Sequence, residues 1–255
     1  MLEPMFRTSR LEALVLKTQR TGEMNRFVTL FHPVKGIIRA TAYGALKTKG
    51  KLRSDTEAFH YIRAYLYLDT VKNSYKITDS ECLLAFSGIR QSVERLYAAS
   101  LCAEIVLRSF GGGESGAEVF ALLLDSFQQI DVSPNERLPY IGIQFIWRFL
   151  AYTGFTLDLD TCGLCRKKLD PAAPFYFLKN GAVFVCGSCG RSGRLELVPG
   201  VRSYFTHTER LPLEAAVKIG MQTDAMQVLK VVLYTCVQTL LNTELVTLKT
   251  GEGIV

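Results

Sequence analysis

The stretch FHYIRAYLYL, residues 59–68, alternates apolar side chains with polar or polar-tipped ones along most of its length. A period of two belongs to a strand with one face in a core and the other toward solvent, and Phe, Tyr, Ile and Leu suit the pleated backbone. Working outward, three shorter segments rich in β-formers precede it, at 11–16, 26–31 and 37–42, set apart by turn signals at Gly22 and at Lys35-Gly36. A fifth opens at 74–77, after Lys72-Asn73-Ser74. Five short strands with tight turns in about 80 residues predict a small antiparallel barrel the size of an OB-fold, which binds single strands across one face.

The whole chain has 255 residues, 48% of them hydrophobic and 21% charged, with a net charge of +6. This hydrophobic fraction suits a folded protein and is too high for a disordered one. No apolar run approaches the roughly 20 residues of a membrane helix. The most apolar stretch, 138–150, is broken by Gln144 and Arg148. Residues 1–10 lack the apolar core and cleavage site of a secretory signal, so the cytosol is the expected compartment. The charge is uneven: residues 1–80 carry 14 Lys and Arg against 7 Asp and Glu, while the other 175 carry 16 against 17. An excess of +7 confined to the barrel segment points to nucleic acid or an anionic surface, and the barrel pattern favours nucleic acid, with no membrane partner.

The link after the third strand, residues 47–53, reads KTKGKLR, with a cation at every second position. In an extended loop Lys47, Lys49, Lys51 and Arg53 would line one side about 7 Å apart, near the phosphate spacing of a stretched single strand. Lys35, Arg39 and Tyr43 lie just upstream and continue that surface. Tyr61, Tyr65 and Tyr67 are candidate stacking platforms, although aromatic residues on barrel strands more often belong to the core. The overlapping GALKTKGK, residues 44–51, is not a phosphate-binding loop: five residues rather than four separate its glycines, and Leu52 follows the lysine.

From about Glu81 the texture becomes helical. Val93, Tyr97, Leu101 and Ile105 form an apolar stripe, and Gly111-Gly112-Gly113 ends that helix as a connection. Further helices are expected at 118–130 and 138–152, the latter apolar nearly all round and therefore buried, with Trp147 in the core. Later ones are expected at 199–207 and 213–219, and from a Thr223-Asp224 cap to about 241.

Cys162-Gly-Leu-Cys165 and Cys186-Gly-Ser-Cys189 make C-x2-C-x20-C-x2-C, the strongest chemical signal in the chain. In a reducing compartment such pairs read as two knuckles completing one tetrahedral S4 site for a single structural Zn2+. Between them FYFLK and AVFV flank Asn180-Gly181, a two-residue hairpin turn that would return the second knuckle to the first. Gly163, Gly187 and Gly190 would relieve the knuckle backbone, and Arg166, Lys167, Lys168, Arg191 and Arg194 would offset the site's negative charge. Four sulfur ligands leave no coordination position for water, so the metal is not catalytic. Cys82, Cys102 and Cys236 read as small residues of helical cores. His32, His60 and His207 match no metal or triad spacing, and no two-metal acidic cluster is visible, so no enzyme is expected. The fold class is α+β and multidomain: an OB-fold barrel at 1–80, a helical domain at 81–157 and 194–255, and a zinc hairpin module at 158–193 inserted into it.

In order and spacing the chain resembles the RecO family of bacterial recombination mediators. The resemblance rests on residues 13–16, Gly22-Glu23, residues 28–31, Lys35-Gly36, Tyr43-Gly44-Ala45 with the basic run to Ser54, and residues 149–165 leading into the first knuckle. It implies binding of single- and double-stranded DNA and annealing of complementary strands. It also implies action with RecR and RecF to help RecA replace single-strand binding protein, whose acidic C-terminal tail the helical body would receive. DNA would lie on Lys35, Arg39, Lys47, Lys49, Lys51 and Arg53, in the cytoplasm and at the nucleoid. The zinc ligands would be Cys162, Cys165, Cys186 and Cys189. The residues alone leave open an RNA-binding zinc-ribbon adaptor of transcription or translation, because an OB face does not by itself separate RNA from DNA.

Overall fold

The computed structural model describes residues 7–47, 50–109, 115–190 and 195–251. Lys49, Gly111 to Gly113, Arg191 and Arg194, singled out above, lie outside the described residues. The chain divides into two compact units, one ending at Asp131 and the other beginning at Val132. No helix among the described residues is long and apolar enough to cross a membrane.

In the first unit β1 (Thr8–Thr21), β2 (Asn25–His32), β3 (Gly36–Ala42), β4 (Tyr61–Asp69) and β5 (Ser74–Leu84) close a barrel in the order β1-β2-β3-β5-β4. All neighbours are antiparallel except β3 and β5. The alternation in 59–68 is realised: Ile62, Ala64 and Leu66 point into the core with Ala13, Val15, Val28, Leu30, Ile38 and Ile77. Tyr61, Arg63, Tyr65 and Tyr67, between them, stay partly exposed. Two strands outrun the expected segments. The ends of β1 are polar, but pairing with both β2 and β4 satisfies their backbone. β5 continues through Leu84, where a helix was expected to begin, and register shifts opposite Tyr61/Ile62 and Tyr65/Leu66 obscure its period. Cys82 is accordingly a strand residue rather than a helical one.

From Lys51 onward the basic link is not extended. Lys51–Asp55 forms a one-turn helix, α1, whose Leu52 packs on the barrel core. Buried Asp55 accepts a 2.9 Å hydrogen bond from Ser80 Oγ of β5. Helical residues two apart point about 200° from each other, so Lys51 and Arg53 do not share the side that alternation suggested.

Two helices belong to this unit, α2 (Val93–Ser109) and α3 (Gly116–Val132). Leu14, Leu16 and Phe31 are buried although they lie on the strand faces turned away from the barrel core, and Phe31 packs 5.8 Å from Phe120 of α3. Phe59 and Phe86 flank Phe127 at 5.5 and 6.1 Å. α3 starts against the β2–β3 turn, where a Cβ on Gly116 would fall 2.2 Å from the Pro33 carbonyl oxygen.

In the second unit the apolar helix α4 (Leu138–Tyr152) packs on α6 (Leu213–Ala216) and α7 (Thr223–Leu241), with α5 (Pro199–Thr208) and α8 (Val246–Thr250) completing the helical part. Thr223 is the first residue of α7 rather than its cap, which is Gln222. The two polar residues that interrupt α4 are put to use. Gln144 donates to Thr208 Oγ1 at 2.9 Å, and Arg148 donates to the Thr208 carbonyl at the end of α5 and the Leu211 carbonyl just beyond it, at 3.1 and 2.7 Å. Trp147 stacks on Phe205 with centroids 3.7 Å apart. Beside these helices β6 (Phe175–Leu178) pairs with β7 (Val183–Val185) and with a third strand, β8 (Leu195–Leu197), that no alternation announced.

Candidate nucleic-acid interface and thiol cluster

The cations of the barrel fall into paired and unpaired sets. Arg63 on β4 is bound by Glu12 of β1 at 2.8 Å and by Glu81 of β5 at 2.5 Å. Arg26 donates to the Arg53 carbonyl and to Thr56 Oγ1, which ties α1 to β2. Lys76 meets Asp69 at 2.8 Å, and Arg90 meets Glu57 at 3.0 Å. Of the six cations expected to face DNA, Lys35, Arg39, Lys47 and Arg53 are exposed, and their side chains make no ion pair among the described residues. Lys35 sits in the β2–β3 turn, Arg39 points outward from the middle of β3, Lys47 follows β3, and Arg53 lies in the middle of α1. Lys51 pairs with Asp79 at 3.0 Å, with side chains 60% and 56% exposed. A pair so exposed is worth little and yields readily to a phosphate.

The tyrosines also differ. Tyr61 is committed to structure: its ring lies 6.0 Å from Phe120, and its hydroxyl donates to Glu12 at 2.7 Å. Burial, then that carboxylate, pushes the phenol up to about 12. Tyr43 and Tyr67 instead flank the Lys76 ammonium at 5.9 and 5.8 Å on the outer face of the barrel. The sequence reading missed Lys76, because only the β4–β5 register places it opposite Tyr67.

Two histidines brace this unit in their neutral form. His32 Nδ1 accepts the Val34 and Lys35 N–H groups at 3.0 and 3.1 Å, closing the turn that presents Lys35. His60 is buried, with Nε2 2.8 Å from Arg90 Nη2 and Nδ1 3.7 Å from Cys82 Sγ. Burial first, then Arg90 beside His60 and Lys35 beside His32, hold both imidazoles below the usual 6.5. The unfolded chain therefore takes up protons near pH 6.5 that the folded chain refuses, so their contribution to stability is complete above that pH and is lost as pH falls through the folded values. The urea midpoint is expected to decline from pH 7.5 to pH 5.5 with an unchanged slope, and His60→Gln should flatten that decline. The lowered carboxylates, Glu12, Asp69 and Asp79 among them, act only in a more acidic window.

In the second unit the sulfurs of Cys162, Cys165, Cys186 and Cys189 all lie within 4.8 Å of one another. Cys165 and Cys186 are 3.8 Å apart, too far for a disulfide and close to the edge of a tetrahedron with metal–sulfur bonds of about 2.3 Å. Each knuckle is closed by its own backbone: Arg166 N–H donates to the Cys162 carbonyl at 2.9 Å, and Gly190 N–H to the Cys186 carbonyl at 2.8 Å. Burial opposes ionisation of Cys162, but the N–H groups of Cys165, Cys186 and Leu164 outweigh it and bring the thiol to about 6. Cys189, beside Cys165 and Cys186, is pushed up to about 12. Four sulfur donors so placed could hold one soft divalent ion, which would also offset the charge of the thiols it deprotonates.

Two local expectations change. Asn180-Gly181 is not a two-residue turn: Leu178 pairs with Val183, Ala182 N–H donates to the Lys179 carbonyl, and positive φ falls on Gly181 (93°) and Ala182 (49°). The knuckle glycines serve close packing rather than a left-handed turn. A Cβ on Gly163 would lie 2.7 Å from Val183, and one on Gly190 2.5 Å from the Tyr176 ring, while the positive φ of the first knuckle belongs to Arg166. Phe175, Phe177 and Phe184 form the small core beneath, and the Arg202 guanidinium of α5 lies over Phe175 at 5.4 Å.

A closed five-stranded barrel with exposed cations, in a chain with a helical body and a four-thiol cluster, is the build of a modular OB-type protein with a metal-type knuckle. Two family models match the chain: Recombination protein O N terminal over residues 5–86, and Recombination protein O C terminal over residues 90–249. The chain belongs to this RecO family of DNA repair and recombination proteins. It is similar to the DNA repair protein RecO of Clostridium acetobutylicum, 24% identical over 83% of each chain. It is also similar to that of Heliobacterium modesticaldum, 29% identical over 79% of this chain and 74% of the relative. The RecO of Synechococcus elongatus is 30% identical over 66% of this chain and 62% of the relative.

Proposed function

We propose that this protein is a DNA-binding recombination mediator that works without catalytic chemistry. The observation that carries the reading is the set of four exposed cations without an ion pair among the described residues, Lys35, Arg39 and Lys47 on and flanking β3 and Arg53 on α1, in an OB-type barrel. Lys51 joins them by exchanging Asp79 for phosphate, and Lys49 continues the run in sequence. Neutralising two backbones in part lets complementary single strands meet, and a surface that grips phosphates without enclosing them releases the duplex. Both single- and double-stranded DNA bind, and annealing follows. Zn2+ is the ion held by Cys162, Cys165, Cys186 and Cys189, in a structural role. Family membership supports the remainder: action with RecR and RecF, RecA as the protein finally loaded, and the acidic tail of single-strand binding protein as a ligand of the helical body, in the cytoplasm and at the nucleoid.

The test is annealing of complementary oligonucleotides coated with single-strand binding protein, with and without its acidic tail. Annealing is expected to be accelerated, to weaken as salt rises and to require the tail. Acceleration that ignores the tail would overturn the mediator role, and a clear preference for RNA in competition would overturn the DNA assignment.

A further inference from the structure

Phosphate contacts alone do not favour a single strand over a duplex, yet the barrel carries a second feature that does. Tyr67 on β4 stands directly opposite Lys76 on β5, and Tyr43 follows the end of β3, the strand on the other side of β5. All three lie on the outer side of the barrel, since their strand neighbours Leu66, Ala42 and Ile77 fill the core. Tyr43 is 52% exposed. Asp69 pairs with Lys76 and is itself fixed by the Lys72 N–H at 3.1 Å. The ammonium at the centre is therefore already neutralised, and what the row offers a ligand is aromatic surface at either end, not charge.

We propose that Tyr43 and Tyr67, set about Lys76, form a stacking site for unpaired bases beside the phosphate track of Arg39. The site rests on the reading of the barrel as a DNA-binding surface and gives it a preference. Every base has a face that can stack on a tyrosine ring, so the site ignores sequence. In a duplex those faces are stacked on one another, so the site engages single strands and loses its ligand as annealing proceeds. Arg39 and Lys35 set the salt-dependent grip on either form, while Tyr43 and Tyr67 favour the unannealed strand.

The experiment compares four ligands at one salt concentration: an oligo-dT strand, a strand of equal length made of abasic sites, a duplex, and a duplex with a dT overhang. The wild-type protein is expected to bind dT at least 5-fold more tightly than the abasic strand. The double variant Tyr43→Ala/Tyr67→Ala should lose 10-fold or more on dT and on the overhang, less than 2-fold on the abasic strand and the blunt duplex, with an unchanged salt slope. The double variant Tyr43→Phe/Tyr67→Phe, which keeps both rings, should retain wild-type affinity and guards against loss of fold. Equal losses on dT and abasic strands, or wild-type indifference between them, would overturn the stacking site. In that event, if Arg39→Ala still weakens all four ligands, the DNA-binding reading of the barrel stands without it. If Arg39→Ala changes nothing either, both fail.

Discussion

The variant Lys35→Ala/Arg39→Ala/Lys47→Ala/Arg53→Ala is expected to lose roughly 100-fold in single-strand affinity at 0.15 M salt, with a log–log salt slope shallower by about 3. Each phosphate contact on a single strand releases about 0.7 of a counterion, so four contacts account for the slope. At that salt the partial release at each contact is worth about 0.8 kcal/mol, so four contacts give about 3 kcal/mol, an affinity loss on the order of 100-fold. The four side chains are exposed and make no ion pair among the described residues, so the fold should tolerate their removal, and an unchanged thermal midpoint is part of the expected result. The contrast lies in Arg63→Ala. That guanidinium is bound by Glu12 and Glu81 and should contribute little to DNA binding, although it is equally basic. A quadruple variant that binds with wild-type affinity and salt slope would remove β3 from the interface.

The second large effect belongs to the thiol cluster. Cys162→Ser, at a fully buried position, should abolish the proposed zinc site and unfold the segment from Cys162 to Leu197, because that segment has only a small core of its own. The expected cost is on the order of 5 kcal/mol, a fall in melting temperature of roughly 15 °C for the unit that begins at Val132. Hydrogen exchange should show β6, β7 and β8 losing protection, and metal analysis should fall from one equivalent to none. Oligonucleotide affinity should stay within about 2-fold, since the cationic track lies in the other unit. If reduced wild-type protein contains no metal, or if Cys162→Ser keeps both metal and melting temperature, the structural zinc site is wrong.

Much of this was legible from residues. The period-two run at 59–68 and its turn-bounded neighbours specified a five-stranded barrel, because strand alternation records one buried face directly. The cysteine spacing specified which four sulfurs meet, because two C-x2-C knuckles can close on one centre whatever lies between them. Hidden from sequence were features set by partners distant in the chain. The continuation of β5 past Glu81 depends on pairing with β4 across two register shifts. The helical turn at Lys51 depends on Leu52 finding the barrel core and Asp55 finding Ser80.

Charge shows the division most plainly. A net +7 in 80 residues could be counted, but not which cations were available. Arg63 and Lys76 carry the same charge as Arg39, and only the packing of β1, β4 and β5 brings carboxylates to the first two and, among the described residues, none to the third. The sequence by itself determined the barrel, the thiol set and the sign of the surface, because periodicity, spacing and composition are local quantities. The tertiary structure decided which charges are paired and which outward tyrosines are covered, because ion pairing and exposure depend on neighbours that only the folded unit supplies.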